Sequence, residues 1–407
     1  MVTHRAKLEH SSRSKLTQSM TPTLVLSEHF LPGCGGTITW LCETYRRFAP
    51  GEIVVVAGDK GNTTDIDRNL PFKVERLGMR MEDWDPARPA SLWRYLIMFR
   101  HIKESQSLHK SSQIHCMKVL PEGLIAWTLR RIWGIPYLLY AHGEEIQMRV
   151  TSRKFAWLIP MVYRDATVVI ANSHHTAQLL ADIGVCSERI HVIHPGVDVA
   201  AFQTNEKARR AIRQRHNLGE DFTLLTLGRL QRRKGQDMVI KALPLVREKF
   251  PNVKYLIVGN GEEYDSLQQL AIVQGVSKNV IFVGSVADDE RAGYYAASDI
   301  FLMPNRQIGA DVEGFGIVFL EAGAAAKPVI GGRSGGTGEA IQDGVTGIRV
   351  DGENVEEIAA VVIDLLTDPT KARAMGERGR QRVETEFTWE SIFERTRQLS
   401  NIVSERI

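Results

Sequence analysis

A chain of 407 residues, 43% of them hydrophobic, is long enough for two sizeable cores. Its 51 basic and 48 acidic residues leave a net charge of only +3, which excludes binding of nucleic acid through a general cationic field. The four cysteines, Cys34, Cys42, Cys116 and Cys186, form no CxxC pair, so the composition fits a reduced, cytoplasmic protein better than a disulfide scaffold or a zinc ribbon.

Residues 1–20 are polar and basic and lack the apolar region of a secretory signal, so they read as a flexible tail. No run of about 18 uncharged apolar residues follows. Short apolar, β-branched runs then alternate with longer helical patterns. The candidate strands are TLVLSE, EIVVVAG, IPYLLYAH, ATVVIANS, IHVIHPG, FTLLTLGRL, VKYLIVGNG, NVIFVGSV, DIFLMP and KPVIGG. Runs apolar throughout belong to strands covered on both faces, so the pattern predicts α/β architecture with parallel sheets and helical crossovers. A Pro-Gly turn and a charged helix interrupt the alternation at 194–220, which places a domain boundary near 197. Two Rossmann-like, doubly wound domains, 21–197 and 198–385, then face each other across a cleft. A final helix at 386–407 follows, free to pack back on the first domain.

Ligands of such sheets bind off the carboxyl ends of the strands, and the polar residues there are the candidates. After the first strand comes FLPGCGGTITWL, in which Gly35 and Gly36 open a helix as phosphate-cradling glycines do; a tight strand-to-helix turn explains them equally well. LLYAHGEEI ends a strand with His142, a position where a structurally satisfied histidine is also common. In LGRLQRRKG a strand end and a glycine turn carry Arg229 and Lys234 to the cleft, where cations stabilise a diphosphate whose charge grows as its bond to a sugar breaks. DVEGFGIVFLEA places Glu313 before a helix that starts near Phe315, and Glu321 within it. Eight positions of helical rise separate the two carboxylates by roughly 10–12 Å, the span from the sugar of a sugar nucleotide to its ribose, and each can accept hydroxyls. Gly314 and Gly316 between them let a diphosphate approach bare N–H groups at the positive end of the helix. An acid near a helix start is also an ordinary cap.

Taken as an ordered set, GGTITWL, HGEE, ANS, HPGVD, GRLQRRKG, VGNGEE, VEGFGIVFLEA and SGGTGE resemble the retaining GT-B glycosyltransferases of family 4, a group that includes phosphatidylinositol mannosyltransferases and sucrose-phosphate synthases. The resemblance covers nearly all of the chain after residue 22. It implies that Glu313 binds hydroxyls of the donor sugar and Glu321 the ribose. Arg229 and Lys234 would clamp the diphosphate with the backbone of Gly314, Phe315, Gly316, Gly35 and Gly36, and His142 would reach the sugar near its reacting carbon. Val258, Gly259 and Gly261 would line the base. Two departures concern loop shape: Lys327 stands where the family usually has glycine, and MPNR replaces a serine-containing version.

The resemblance implies a hexosyltransferase that uses a nucleoside-diphosphate sugar as co-substrate and no cofactor. A UDP-sugar such as UDP-glucose is narrowly preferred over GDP-mannose, with a glycan, lipid-linked or small-molecule hydroxyl as acceptor. No Asp-x-Asp metal motif stands at a strand end, since Asp65-Ile66-Asp67 lies in a polar loop, so metal-independent transfer is expected. Residues 88–110 mix Trp93, Tyr95 and Phe99 with Arg94, Arg100, His101 and Lys103. This segment is either a basic, aromatic face for an anionic membrane, giving peripheral attachment at the inner surface of the cell membrane, or a helix packing Trp93, Leu96, Ile97 and Phe99 on the sheet. A catalytically silent nucleotide-sugar-binding subunit of a polysaccharide complex is the competing reading.

Overall fold

The computed structural model describes residues 21–33, 35–59, 61, 63–78, 89–151, 153–203 and 205–405, with side chains except at 148–151, 153 and 154. The expected tail 1–20 and Cys34 lie outside the described residues.

The ten candidate runs all contain strands, and three further strands complete two wholly parallel sheets. The first contains β1 (Thr23–Ser27), β2 (Ile53–Gly58), β3 (Lys73–Leu77), β4 (Ile114–Cys116), β5 (Tyr137–Ala141), β6 (Val168–Ala171) and β7 (Ile190–Val192), in the order β3-β2-β1-β4-β5-β6-β7. The second contains β8 (Thr223–Leu227), β9 (Lys254–Val258), β10 (Val280–Gly284), β11 (Ile300–Met303), β12 (Val329–Gly332) and β13 (Gly347–Val350), in the order β10-β9-β8-β11-β12-β13. Leu24 lies opposite Val54 on one side and Ile114 on the other. Alternate residues of each strand enter different cores: Leu24 and Leu26 pack with Met98 and Ile125, whereas Val25 packs with Trp40 and Leu41. Burial on both faces is why these runs are apolar throughout.

The strands absent from the sequence reading share a cause. β3, KVERL, is an edge strand with no fully buried residue, β4 has three residues, and β13, GIRV, is a short edge strand. None offers the long apolar run that marks a central parallel strand.

In each sheet the strand order reverses once, between β1 and β4 and between β8 and β11. Connections leave in opposite directions there, and a crevice opens beyond the strand ends. Ile193 belongs to a core of the first sheet and Val197 to a core of the second. The chain crosses back between Phe387 and Trp389, and the two crossings are tied by Val197 N donating to Phe387 O at 2.9 Å. The final helix, Trp389–Ser404, therefore completes the first core. Its apolar face (Trp389, Ile392, Phe393, Leu399, Val403) packs with Tyr45 and Phe48, and Ser400 accepts from Gln113 at 2.9 Å.

The helix Pro89–Leu108 turns Ser91, Met98, Ile102 and Ser105 inward, with Tyr95 and Phe99 half-buried beside them. Tyr95 bonds Thr128 at 2.7 Å, and Phe99 stacks on Trp133. Leu92, Trp93, Leu96 and Ile97 face outward, Trp93 with 66% of its surface exposed. Packing of Trp93, Leu96 and Ile97 on the sheet is thus corrected: the helical period assigns that role to 91, 95, 98, 102 and 105.

Both departures in loop sequence have local explanations. Lys327 Nζ donates to Ala296 O (3.2 Å) and Ser298 O (2.7 Å), closing the end of the helix Asp288–Ala297. Asn305 is fully buried and ties the loop after β11 to the stretch 332–337, accepting from Gly332 N and donating to Ser334 O and Thr337 Oγ1.

Glu122, at the switch point of the first sheet, is completely buried. Its Oε1 accepts Glu28 N at 2.7 Å, and its Oε2 has no partner. Burial pushes its carboxyl up to about 8, against the lowering effect of the Glu28 amide. The folded state therefore keeps a proton that the unfolded chain loses near its ordinary pKa, so this group costs stability as pH rises from about 4.3 towards 8, by at most roughly 1.4 kcal/mol per unit. Glu122→Gln is expected to raise the melting temperature at pH 8 and leave it nearly unchanged at pH 4, as thermal scans across pH would measure.

Candidate active site

The loops after β8 and β11 flank the switch point of the second sheet, and their charges meet there. A 3-10 turn, Arg232–Lys234, presents two adjacent cations to the crevice. Lys234 Nζ and Arg233 Nη1 both donate to Glu313 Oε2 at 2.5 Å, and Arg233 Nε lies 2.9 Å from Asp311. Burial opposes the charge on Glu313, but Lys234 and Arg233 outweigh it and hold the carboxyl down to about 2. The site thus holds an ionised carboxylate in a dry setting. Arg229 from the same loop is exposed and makes no ion pair among the described residues, while its carbonyl accepts from Gln236 at 3.0 Å. Arg233 joins the expected pair Arg229 and Lys234, its signal in the sequence being the doubled arginine of RRK.

The helix carrying Glu321 spans Ile317–Ala324, two residues later than expected. Gly316 precedes it at φ 89°, a left-handed conformation that breaks the helical path. Helical rise therefore does not extend across 313–316, and the separation inferred from it holds only from Ile317 onward. Glu321 is buried and already partnered: Arg291 Nη2 donates to both its oxygens, and Tyr295 OH donates to Oε2 at 2.7 Å. Neither partner was legible, because both lie on the separate helix Asp288–Ala297.

The first half meets this site with bare backbone. Gly35 precedes the helix Gly36–Tyr45, and a Cβ on Gly36 would lie 3.7 Å from Ile317. The amino ends of the helices at 36 and 317 therefore converge, adding their positive poles to those of Lys234 and Arg233. Gly314 lies so close to the first half that a Cβ would fall 2.2 Å from His142 O. His142 is half-buried, with its ring against Trp40 and its Nε2 3.0 Å from Met117 O. A carbonyl only accepts, so Nε2 carries a proton and Nδ1 faces away from that bond. Phe315 stacks on His194 at 5.1 Å. Gly259 and Gly261 lie a loop away, where a Cβ would meet Gly228 O and Leu230 O at 1.9 and 2.3 Å. Their lack of a side chain lets the loop after β9 bond the loop after β8, through Leu230 N to Asn260 O at 3.0 Å.

Two doubly wound domains with a cationic crevice and convergent helix amino ends form a site whose charge complements a phosphorylated ligand. The model for Glycosyltransferase Family 4 matches residues 35–201, and that for Glycosyl transferases group 1 matches 208–382. The chain is 37% identical over 290 residues to the GDP-mannose-dependent alpha-(1-6)-phosphatidylinositol monomannoside mannosyltransferase of Mycolicibacterium smegmatis, covering 70% of this chain and 74% of that one. It is 31% identical over 389 residues to the GDP-mannose-dependent monoacylated alpha-(1-6)-phosphatidylinositol monomannoside mannosyltransferase of Corynebacterium glutamicum, covering 94% and 97%. Among solved structures, HepE of Anabaena in complex with UDP superposes with a TM-score of 0.78 at 21% identity, covering 93% of this chain and 99% of that one. Sucrose-phosphate synthase of Thermosynechococcus elongatus superposes at 0.76 and 20%, covering 95% and 100%. The chain belongs to glycosyltransferase family 4, with the GT-B fold, and transfers a sugar from a nucleotide sugar.

The buried pairing of Glu321 changes how that residue must be probed. Glu321→Ala leaves Arg291 and Tyr295 facing a void, at a cost of about 3–5 kcal/mol, whereas Glu321→Gln retains an acceptor. The alanine variant is expected to show a large drop in urea midpoint, the glutamine variant a smaller one, and Glu321→Leu with Arg291→Met to recover much of the loss. Equal midpoints for all three would contradict the pairing.

Proposed function

We propose that the enzyme transfers mannose, with retention of configuration, from GDP-mannose to a hydroxyl of an inositol-containing mannolipid. The observation that carries this reading is the likeness, over 94% of this chain, to the Corynebacterium glutamicum enzyme, whose name specifies GDP-mannose and a monoacylated phosphatidylinositol mannoside. UDP in the Anabaena structure speaks for the fold alone, so the expectation of UDP-glucose gives way to GDP-mannose. A silent binding subunit is disfavoured by the same likeness, which is to mannosyltransferases along nearly the whole chain.

In this reading the donor lies across the crevice with its diphosphate between the amino ends of the helices at 36 and 317. Arg229 and Lys234 neutralise it, helped by the N–H groups of Phe315 and Gly316 and by the backbone of Gly35, Gly36 and Gly314. Glu313, kept ionised by Lys234 and Arg233, accepts hydroxyls of the sugar, Glu321 lies towards the ribose, and Gly259 and Gly261 border the base. His142 offers Nδ1 to the sugar. The acceptor oxygen bonds to the anomeric carbon on the face from which the diphosphate departs, and the acceptor proton passes to the departing phosphate oxygen. The positive groups act on charge that develops only as the bond breaks, which is where stabilisation accelerates the reaction. Binding of GDP and UDP, with hydrolysis of GDP-mannose and UDP-glucose, tests the donor. GDP is expected to bind at least about tenfold tighter, a difference of about 1.4 kcal/mol, and tighter binding of UDP would reverse the assignment.

The acceptor side rests on the outward face of Pro89–Leu108. Leu92, Trp93, Leu96 and Ile97 are exposed beside Arg94 and Arg100, and Lys103 lies over the Trp133 ring at 5.0 Å. No described helix is long and apolar enough to cross a membrane, so contact with a lipid acceptor would be peripheral, through this face. Sedimentation with phosphatidylinositol-containing vesicles is the check. Trp93→Ser with Leu96→Ser is expected to weaken association by on the order of tenfold or more, since each large apolar side chain contributes about 1.5–3 kcal/mol when buried. Unchanged sedimentation of the double variant would remove this face from the reading.

A further inference from the structure

Apart from the donor crevice, one cluster draws side chains from both halves. His174 opens the helix His174–Asp182, His194 follows β7, and Glu339 lies in the short helix Thr337–Ala340 of the second half. The ligating atoms of all three lie within 4.8 Å of one another, and His194 Nε2 is 3.7 Å from Glu339 Oε2. We propose that this seam binds a divalent transition-metal ion of the zinc class, which then links the two domains.

The hydrogen bonds around the cluster orient its ligands. His194 Nδ1 is 3.1 Å from Asn172 O. Because a carbonyl only accepts, Nδ1 holds the proton and the Nε2 lone pair is directed at Glu339, the arrangement by which an outer carbonyl fixes a ligating imidazole. Asn172 is itself held by Thr176 Oγ1 (2.7 Å) and by its own bond to His142 O (3.0 Å). Glu339 is positioned by His174 N (2.7 Å to Oε2) and His175 N (3.2 Å to Oε1), and each oxygen retains a lone pair for a metal. His174 is exposed and opens onto a groove lined by Gln178, His191 and Arg395, which gives an ion its entry path. Bonds of about 2.0–2.2 Å place tetrahedral ligands roughly 3.3 Å apart, a contraction within reach of rotation about the side chain of exposed His174. Two imidazoles and one carboxylate select Zn2+, Co2+ or Ni2+ over Mg2+ and Ca2+, which favour all-oxygen sets.

The site's place gives the ion a consequence. His194 stacks on Phe315, two residues from Glu313. Two ligands belong to the first half and one to the second, so a bound ion resists separation of the two halves.

The test is titration of the chelator-stripped full chain with Co2+ and Zn2+, followed by visible absorption and calorimetry. One ion per chain is expected, with a nitrogen and oxygen spectrum lacking the intense thiolate band. His174→Gln and His194→Gln are each expected to weaken binding by on the order of 100-fold, since even outer partners of a metal ligand are worth 10–100-fold. Cys186→Ser and removal of the imidazoles at His4 and His10 are expected to leave binding unchanged. A Zn2+-induced rise in melting temperature should vanish in His174→Gln, whose surface position leaves the fold intact. Absence of binding, or binding that survives both histidine substitutions, would overturn the proposal.

Discussion

A single buried carboxylate organises the second half of this enzyme. Glu313 comes from the loop after β11, while Lys234 and Arg233 come from the loop after β8. These strands are neighbours at the point where the sheet changes direction, so the ion cluster bridges the crevice mouth. A carboxylate left alone there would protonate. With two cations beside it, it stays charged, and it holds those cations in one place at the crevice mouth. The same pairing logic recurs at Glu321 with Arg291 and Tyr295. It answers why a helix buried along most of its length carries an acid.

Beside the stack of His194 on Phe315, much of the seam between the halves is bare backbone. Gly314 lies against the His142 carbonyl, Gly336 against the Ser173 Cβ, and Gly143 near the Gly314 Cα. Such contacts give close approach with little apolar area, and interfaces of that kind tolerate relative movement better than a hydrophobic core does. Glu339, capping the helix at His174 from across the seam, is a polar counterpart that water can replace on opening.

Much of this was legible in the chain, for reasons that separate cleanly. Strands buried on both faces announce themselves as runs such as IVVVA, whereas β3 and β13 at the edges and β4 with three residues carry too little apolar signal. The helix start was misjudged by two residues because nothing in EGFG reveals that Gly316 adopts a positive φ. Arg233 was overlooked beside Lys234, since sequence order does not say which of two adjacent arginines a tight turn directs inward. Arg291, Tyr295 and Glu339 are far in sequence from what they touch, and only the topology brings them there. The apolar residues of Pro89–Leu108 outnumber what one helix stripe can bury, so the sequence supports either face and only packing distinguishes the inward set.

The return of the last helix to the first core has a consequence for how the chain is made. Trp389, Phe393 and Val403 are wholly or almost wholly buried among residues of the first sheet, including Trp40, Tyr45 and Val55. A chain emerging from the ribosome has those early residues in hand long before their final partners exist. The second sheet, by contrast, can assemble from one continuous stretch. Vectorial synthesis usually lets the amino-terminal domain mature first. Here the order is inverted in part: the first domain waits with an apolar face uncovered until the final residues arrive, and any division of the gene into separately expressed halves would have to send residues 389–404 with the first.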